Sequence, residues 1–191
     1  MLIRAKPQDG EEIRKIFRNR GNDESFPRIK YFKVVESYSN VSLVLLYTLI
    51  KEIEDGQLNE CFLPNLPTED NSLFDGWFAR TPLQDEPRLW KQIDVDWDDK
   101  DYSTVNQNLE DAVQYAVSEI PFLKGLSCGL VAQFSNKAGI PKYAKRLSLR
   151  LYILLSEALT SKEMRSVFLP YCGKGIGTID RAMLESNRIH L

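Results

Sequence analysis

The stretch "WKQIDVDWDDKD", Trp90 to Asp101, places four aspartates within six residues (94, 96, 98 and 99) and a fifth at 101. Carboxylates at this density can ligate calcium, hold a divalent ion for hydrolysis, or simply stand in water. A helix–loop–helix calcium site needs oxygen ligands at positions 1, 3 and 5, glycine at 6 and glutamate at 12. Counting from Asp94 satisfies the first three but puts Asp99 at position 6 and Val105 at position 12. Counting from Asp96 puts Lys100 at position 5 and Gln107 at position 12. Neither register makes the turn or the bidentate ligand, so this is not such a loop.

Read as a strand over 89–97, the segment sends Leu89, Ile93, Val95 and Trp97 to one face and Gln92, Asp94 and Asp96 to the other. Asp94 and Asp96 would then share a face, close enough to hold one divalent ion, and they are the metal candidates. Asp98 and Lys100, with Asp85 upstream, would complete the acid-and-lysine set of a small metal-dependent hydrolase or nuclease. Such a set belongs on a hydrophobic central strand, whereas 98–100 is hydrophilic throughout. The favoured reading is therefore a solvated acidic edge, which is also how exposed strands avoid unwanted pairing.

Nucleophilic chemistry has little to work with. The single histidine is His190, and the three cysteines (61, 128 and 172) are widely spaced with no CxxC pair. No cofactor is expected. "GKGIG" (173–177) lacks the spacing of either nucleotide-binding glycine motif and reads as a turn, with Thr178 capping a last helix, although Lys174 and the loop amides could hold an anion.

Binding residues are easier to find. One basic cluster is Arg14, Lys15, Arg18 and Arg20, and a second is Lys137, Lys142, Lys145 and Arg146, with Tyr143 among them. Residues 1–33 carry nine Lys/Arg against five Asp/Glu, residues 34–134 six against eighteen, and residues 135–191 ten against four. The ends are basic and the middle acidic. Such a chain can fold its ends on its middle, attract a second copy, or offer separate faces to partners of either charge. A middle with a balance of −12 disfavours nucleic acid, which remains the lesser alternative. "SLFDGWFARTP" (72–82) sets Phe74, Trp77 and Phe78 in a proline-bounded stretch. These aromatics either pack on the core or anchor a partner.

The elements that must position these residues follow from periodicity and punctuation. Asp9 and Glu12 open a helix with an Ile13, Ile16, Phe17 stripe, which stops at Gly21. Residues 31–38 read as a strand, and 40–56 as a buried helix capped by Asn40. Residues 57–88, with prolines at 64, 67, 82 and 87, read as one long irregular loop. After the strand at 89–97, Thr104 and Gln107 form a capping box for a helix whose stripe is Leu109, Val113, Ala116, Val117 and Ile120. Alternation over 126–134 and 147–155 predicts an antiparallel pair with a long basic tip. Thr160 and Glu163 then cap a short helix.

Together these elements predict a single α+β layered domain over 1–191, with a mainly antiparallel sheet of about four strands packed by helices. At 43% hydrophobic residues the chain can build a core without disulfides. Three unpaired thiols suit a reducing, cytoplasmic setting. The start has no secretory h-region, and the longest apolar run (41–50) is half of what a membrane helix requires. The function expected is non-catalytic: a protein-binding, assembly or structural role. It would act through Phe74, Trp77, Phe78 and the basic tip, on a protein partner or on copies of itself.

Overall fold

The computed structural model describes residues 1–8, 31–55, 59–63, 65–68, 74–79, 83–125, 129–135, 138 and 140–184. The expected first helix with its four basic residues, Lys137, Cys128, His190 and most of the last helix lie outside them.

Two long strands form the frame. β7 (Arg88–Trp97) runs antiparallel to β9 (Leu147–Leu159), which pairs on its other side with β8 (Val131–Phe134). A second antiparallel sheet has the order β3-β1-β2-β5, from β1 (Leu2–Pro7), β2 (Tyr31–Tyr38), β3 (Cys61–Leu63) and β5 (Trp77–Ala79). A two-residue ladder joins β4 (Leu66–Pro67) to β6 (Leu83–Gln84). Three helices complete the described structure: α1 (Leu43–Glu54), α2 (Leu109–Glu119) and α3 (Ser161–Phe168). The protein is an α+β fold with antiparallel sheets, as its patterning predicts. It has more strands than the four expected.

The additional strands have physical explanations. The described residues of 57–88 include four strands of two or three residues each, too short to show any period. β1 does alternate, with Ile3 and Ala5 against Arg4 and Lys6, but a single turn of that pattern is easily passed over. Its register slips between Arg4 and Ala5, so Val35 of β2 has no partner there. This bulge leaves Val35 exposed.

Packing falls into three layers. On one face of β7–β9–β8, the side chains of Ile93, Val95, Trp97, Leu147, Leu149 and Leu151 meet Ala112 and Ala116 of α2 and Met164 and Phe168 of α3. On the other face, Trp90 and Tyr152 pack with Leu46, Leu49 and Ile50 of α1 and with Leu2 and Phe62 of the second sheet. Beyond that sheet, Ile3, Phe32, Leu63 and Phe78 form a third cluster. Both faces of β9 are therefore covered, including Ser148 and Arg150. On β7 the face expected to be wet is wet only in part: Gln92 is buried, whereas Asp94 and Asp96 keep part of their side chains in solvent.

Several helix starts shift. Ser42, not Asn40, caps α1 by accepting from the Leu45 amide. α1 is apolar all round without being buried all round, since Val44 is 75% exposed and Tyr47 58%. α2 begins at Asn108, whose side chain accepts from the Asp111 amide. The expected Thr104–Gln107 box lies in a turn, because Val105 and Asn106 donate to the Tyr102 carbonyl and close the chain there first. The Thr160–Glu163 box on α3 forms in full. Before the final 3-10 turn at Arg181–Leu184, Asp180 accepts from the Ala182 amide, the role expected of Thr178.

Candidate functional site

The acidic turn meets the two other motifs of the sequence. β7 ends at Trp97 and delivers Asp98 to Asp101 beside the basic tip, while residues 172–184 run back along the outer edge of β7. Three contacts tie that return segment down. The Asp180 amide donates to the Asp94 carbonyl at 2.9 Å. Trp97 Nε1 donates to the Thr178 carbonyl at 2.7 Å. The buried Lys91 Nζ donates to the Met183 carbonyl.

Every aspartate of the cluster is engaged by the chain itself. Asp94 accepts from Gln92 at 2.8 Å and faces Arg150, its cross-strand neighbour, at 3.9 Å. Asp96 accepts from the hydroxyl of Ser148, opposite it on β9, at 2.7 Å. Arg146 forks between two of them, with Nη1 3.5 Å from Asp96 and Nη2 2.5 Å from Asp98. Asp101 pairs with Lys145 at 3.1 Å. Two bonds to backbone carbonyls zip the same seam: the Tyr102 amide donates to the Lys145 carbonyl and the Asn106 side chain to the Arg146 carbonyl.

Asp99 answers the glycine-loop question. Its carboxylate sits against Gly175 and accepts from the Ile176 amide and from the Tyr102 hydroxyl at 2.6 Å. The loop does hold an anion, and that anion is the chain's own. Gly175 lies at φ +88°, where a glycine is favoured, and the close approach of Asp99 leaves no room for a Cβ. These contacts set the charge states. The Tyr102 hydroxyl, aided by the Ile176 amide, holds Asp99 below the usual carboxylate range. Hydrogen bonds from the side chain and amide of Ser103, then Lys145, bring Asp101 down to about 2. Burial, then the Asp99 bond, pushes the Tyr102 phenol up.

Two clefts open on this face, separated by the Asp98–Arg146 pair that lines both. The larger, about 580 Å³, lies between the end of β7 and the return segment. Arg146, Lys174 and Arg181 face Asp96, Asp98 and Asp180 across it, leaving no excess of charge. Cys172 also lines it. Burial raises its thiol above the ordinary range, which leaves little thiolate to act as a nucleophile. The smaller cleft, about 470 Å³, lies under the tip. It is lined by Lys100, Lys142, Lys145 and Arg146 against Asp98 and Asp101, an excess of two positive charges.

The described part of the tip, 140–146, is braced by its own contacts. A 3-10 turn at Pro141–Tyr143 shapes it, and the Tyr143 ring holds Lys142 Nζ and the Arg146 guanidinium, each 5.3 Å from its centre. Lys100 is held likewise between the rings of Tyr102 and Tyr115 and donates to the Tyr115 hydroxyl at 2.7 Å.

The expected site residues thus separate. Lys142, Lys145 and Arg146 come together with Asp98 and Asp101, so the tip and the acidic turn neutralise one another in part within one molecule and do not form opposed faces there. Asp94 and Asp96 do share a face, and each has its own cross-strand partner. Among the described residues no group of three His, Cys, Asp or Glu side chains could hold a metal ion.

The aromatic segment is remote from this face. Phe78 is 2% exposed and packs against Phe32 at 6.2 Å between centroids, so it belongs to the core and cannot anchor a partner. Trp77 is half-buried opposite Lys33, and Phe74 opens the 3-10 turn before it. Sequence reasoning missed the roles of Lys100, Asp99 and Asp101 at the seam. The signal was present in "DDKD" and "KYAKR", two strings of opposite charge, one following β7 and one preceding β9, which the antiparallel pairing of those strands brings to the same end of the sheet.

No helix among the described residues is long and apolar enough to cross a membrane. Compared with protein-family models, with curated proteins and with solved structures, the chain matches none.

Proposed function

We propose that this chain is a non-catalytic protein-binding or assembly protein whose contact surface is the basic tip and the cleft beneath it. One observation carries the reading. The described part of the tip is braced by its own ring stacking and by bonds from the Tyr102 amide and the Asn106 side chain, yet it keeps Lys142 and Lys145 in solvent, with the Lys145 side chain 79% exposed. A braced, charged projection suits recognition, because little side-chain and loop entropy remains to be lost on binding. The engagement of all five aspartates in internal pairs supports the same reading over a hydrolase. Trp77, partly exposed on the other sheet, is a second contact for a partner or a further copy.

The test is a charge reversal, Lys142→Glu with Lys145→Glu, read by fluorescence anisotropy with a labelled polyglutamate peptide. Wild type should bind it more weakly as salt rises, and the double variant should bind at least tenfold more weakly at low salt with an unchanged melting temperature. Equal binding by both proteins would remove the tip from the contact surface. Light scattering on the same samples at two salt concentrations reads self-association.

A further inference from the structure

We infer that the cleft under the tip takes a phosphomonoester dianion carried on a protein partner, a phosphorylated serine or threonine side chain. The inference rests on the protein-binding reading above and adds the chemistry of the ligand.

Charge comes first. Four cations and two carboxylates line the cleft, an excess of two. A phosphomonoester at neutral pH carries about −1.5 to −2 charges, so it restores balance in one step. A single carboxylate supplies half of that.

Donor geometry points the same way. Carboxylates are recognised best by the planar fork of arginine. The one arginine here, Arg146, already spends its fork on Asp96 and Asp98. The other cations are the ammonium groups of Lys100, Lys142 and Lys145, each with three hydrogens, so that one partner, such as the Tyr115 hydroxyl for Lys100 or Asp101 for Lys145, does not use up the group. These are point charges with rotatable hydrogens, suited to a tetrahedral oxyanion that accepts from several directions.

The cleft also contains its own stand-in ligand. Asp101 occupies Lys145 from an exposed position, and a dianion entering the cleft competes with it for that ammonium. Exposed pairs of this kind are worth little, so the exchange costs little.

Extended polyanions fit less well. Asp98 and Asp101 stand in the lining itself, and the segment 34–134 carries eighteen acidic residues against six basic, which repels a continuous phosphate backbone. The Tyr143 ring already contacts two cations, which leaves it poorly placed to stack a base.

The experiment titrates the ¹⁵N-labelled full chain with a short peptide that bears one phosphoserine and no other charged side chain, and with its serine and glutamate versions. Inorganic phosphate, vesicles containing a phosphoinositide and a single-stranded oligonucleotide are run at equal phosphate concentration. The phosphopeptide should shift amides of 98–101 and 142–146, bind at least tenfold more tightly than the glutamate peptide, and weaken as pH falls below about 6 where the second proton returns. Lys142→Ala and Lys145→Ala, both at exposed positions, should each cost at least threefold.

Equal affinity for the glutamate peptide, or shifts elsewhere, would overturn the inference while leaving polyglutamate binding by the tip, and the protein-binding reading, standing. Inorganic phosphate binding as tightly as the peptide would overturn the assignment to a protein partner. Tighter binding to the vesicles or the oligonucleotide would do the same. Loss of both polyglutamate and phosphopeptide binding would sink the two readings together.

Discussion

Gly175→Ala isolates the contact that locks the glycine turn to the acidic turn. Gly175 is buried, and its φ of +88° is a conformation that costs a residue with a Cβ about 1–2 kcal/mol. A Cβ there would lie 2.9 Å from Asp99 Cγ and 3.1 Å from Oδ2, so the carboxylate must move. Moving it breaks the bonds from the Tyr102 hydroxyl and the Ile176 amide, each worth a net of about 0.5–1.5 kcal/mol. The sum is a loss of about 2–5 kcal/mol. Gly125→Ala is the control, because its added Cβ meets nothing within 4 Å, and it should stay within about 0.5 kcal/mol of wild type. Urea unfolding followed by tryptophan fluorescence and by circular dichroism measures both, provided the slope is unchanged. The cycle with Asp99→Ala separates the components. In that background the carboxylate is gone, so Gly175→Ala should cost only the backbone part, about 1–2 kcal/mol. Equal costs in the two backgrounds would refute the claim that Asp99 is what fills the turn.

Asn108→Ala should cost about 1 kcal/mol by uncapping α2, and Thr104→Ala should cost nothing measurable, with both read from denaturant midpoints. Phe78→Ala should lose about 3–5 kcal/mol through a cavity beside Phe32, whereas Trp77→Ala should lose clearly less, and melting curves rank the two. Alkali should unfold the protein above about pH 10. Burial raises the phenols of Tyr152 and Tyr102 above their unfolded value, so their contribution is whole below pH 10 and drains away as pH climbs toward the folded values. Acid acts with the opposite sign. Asp101 and Asp99 are held below the unfolded value near 3.9, so what they contribute is present above about pH 4 and is lost as pH falls toward 2. Stability that stayed flat from pH 7 to 11.5, or from pH 5 to 2.5, would contradict the respective assignment.

Much of the fold was legible because long elements carry a period. β7, α1 and α3 stand within three residues of where alternation and caps place them, and β9 starts where expected but runs four residues further, to Leu159. The misses share one cause, which is competition that a linear pattern does not show. Thr104 and Gln107 make a good capping box, but the Tyr102 carbonyl takes the Val105 and Asn106 amides and delays the helix to Asn108. Leu89 should have pointed inward by alternation, yet the register slips between Arg88 and Trp90, and Leu89 ends up exposed. At the candidate site, the residues were readable and their pairing was not. Five aspartates within eight residues look like a ligand set until their partners, Arg146, Ser148, Lys145 and the Ile176 amide, arrive from strands and turns many residues away.

The return segment along β7 has a consequence for how the chain is made. Its anchors are far downstream, with the Trp97–Thr178 bond spanning 81 residues and the Lys91–Met183 bond 92. A ribosome adds about 5–20 residues per second, so the outer edge of β7 stays bare for several seconds after it emerges. A bare strand edge invites pairing with neighbouring nascent chains. During that interval the strand must defend itself, and Lys91, Asp94 and Asp96 are spaced along it as charged gatekeepers. The carboxylates that first suggest a metal centre thus protect the nascent chain before they secure the folded one.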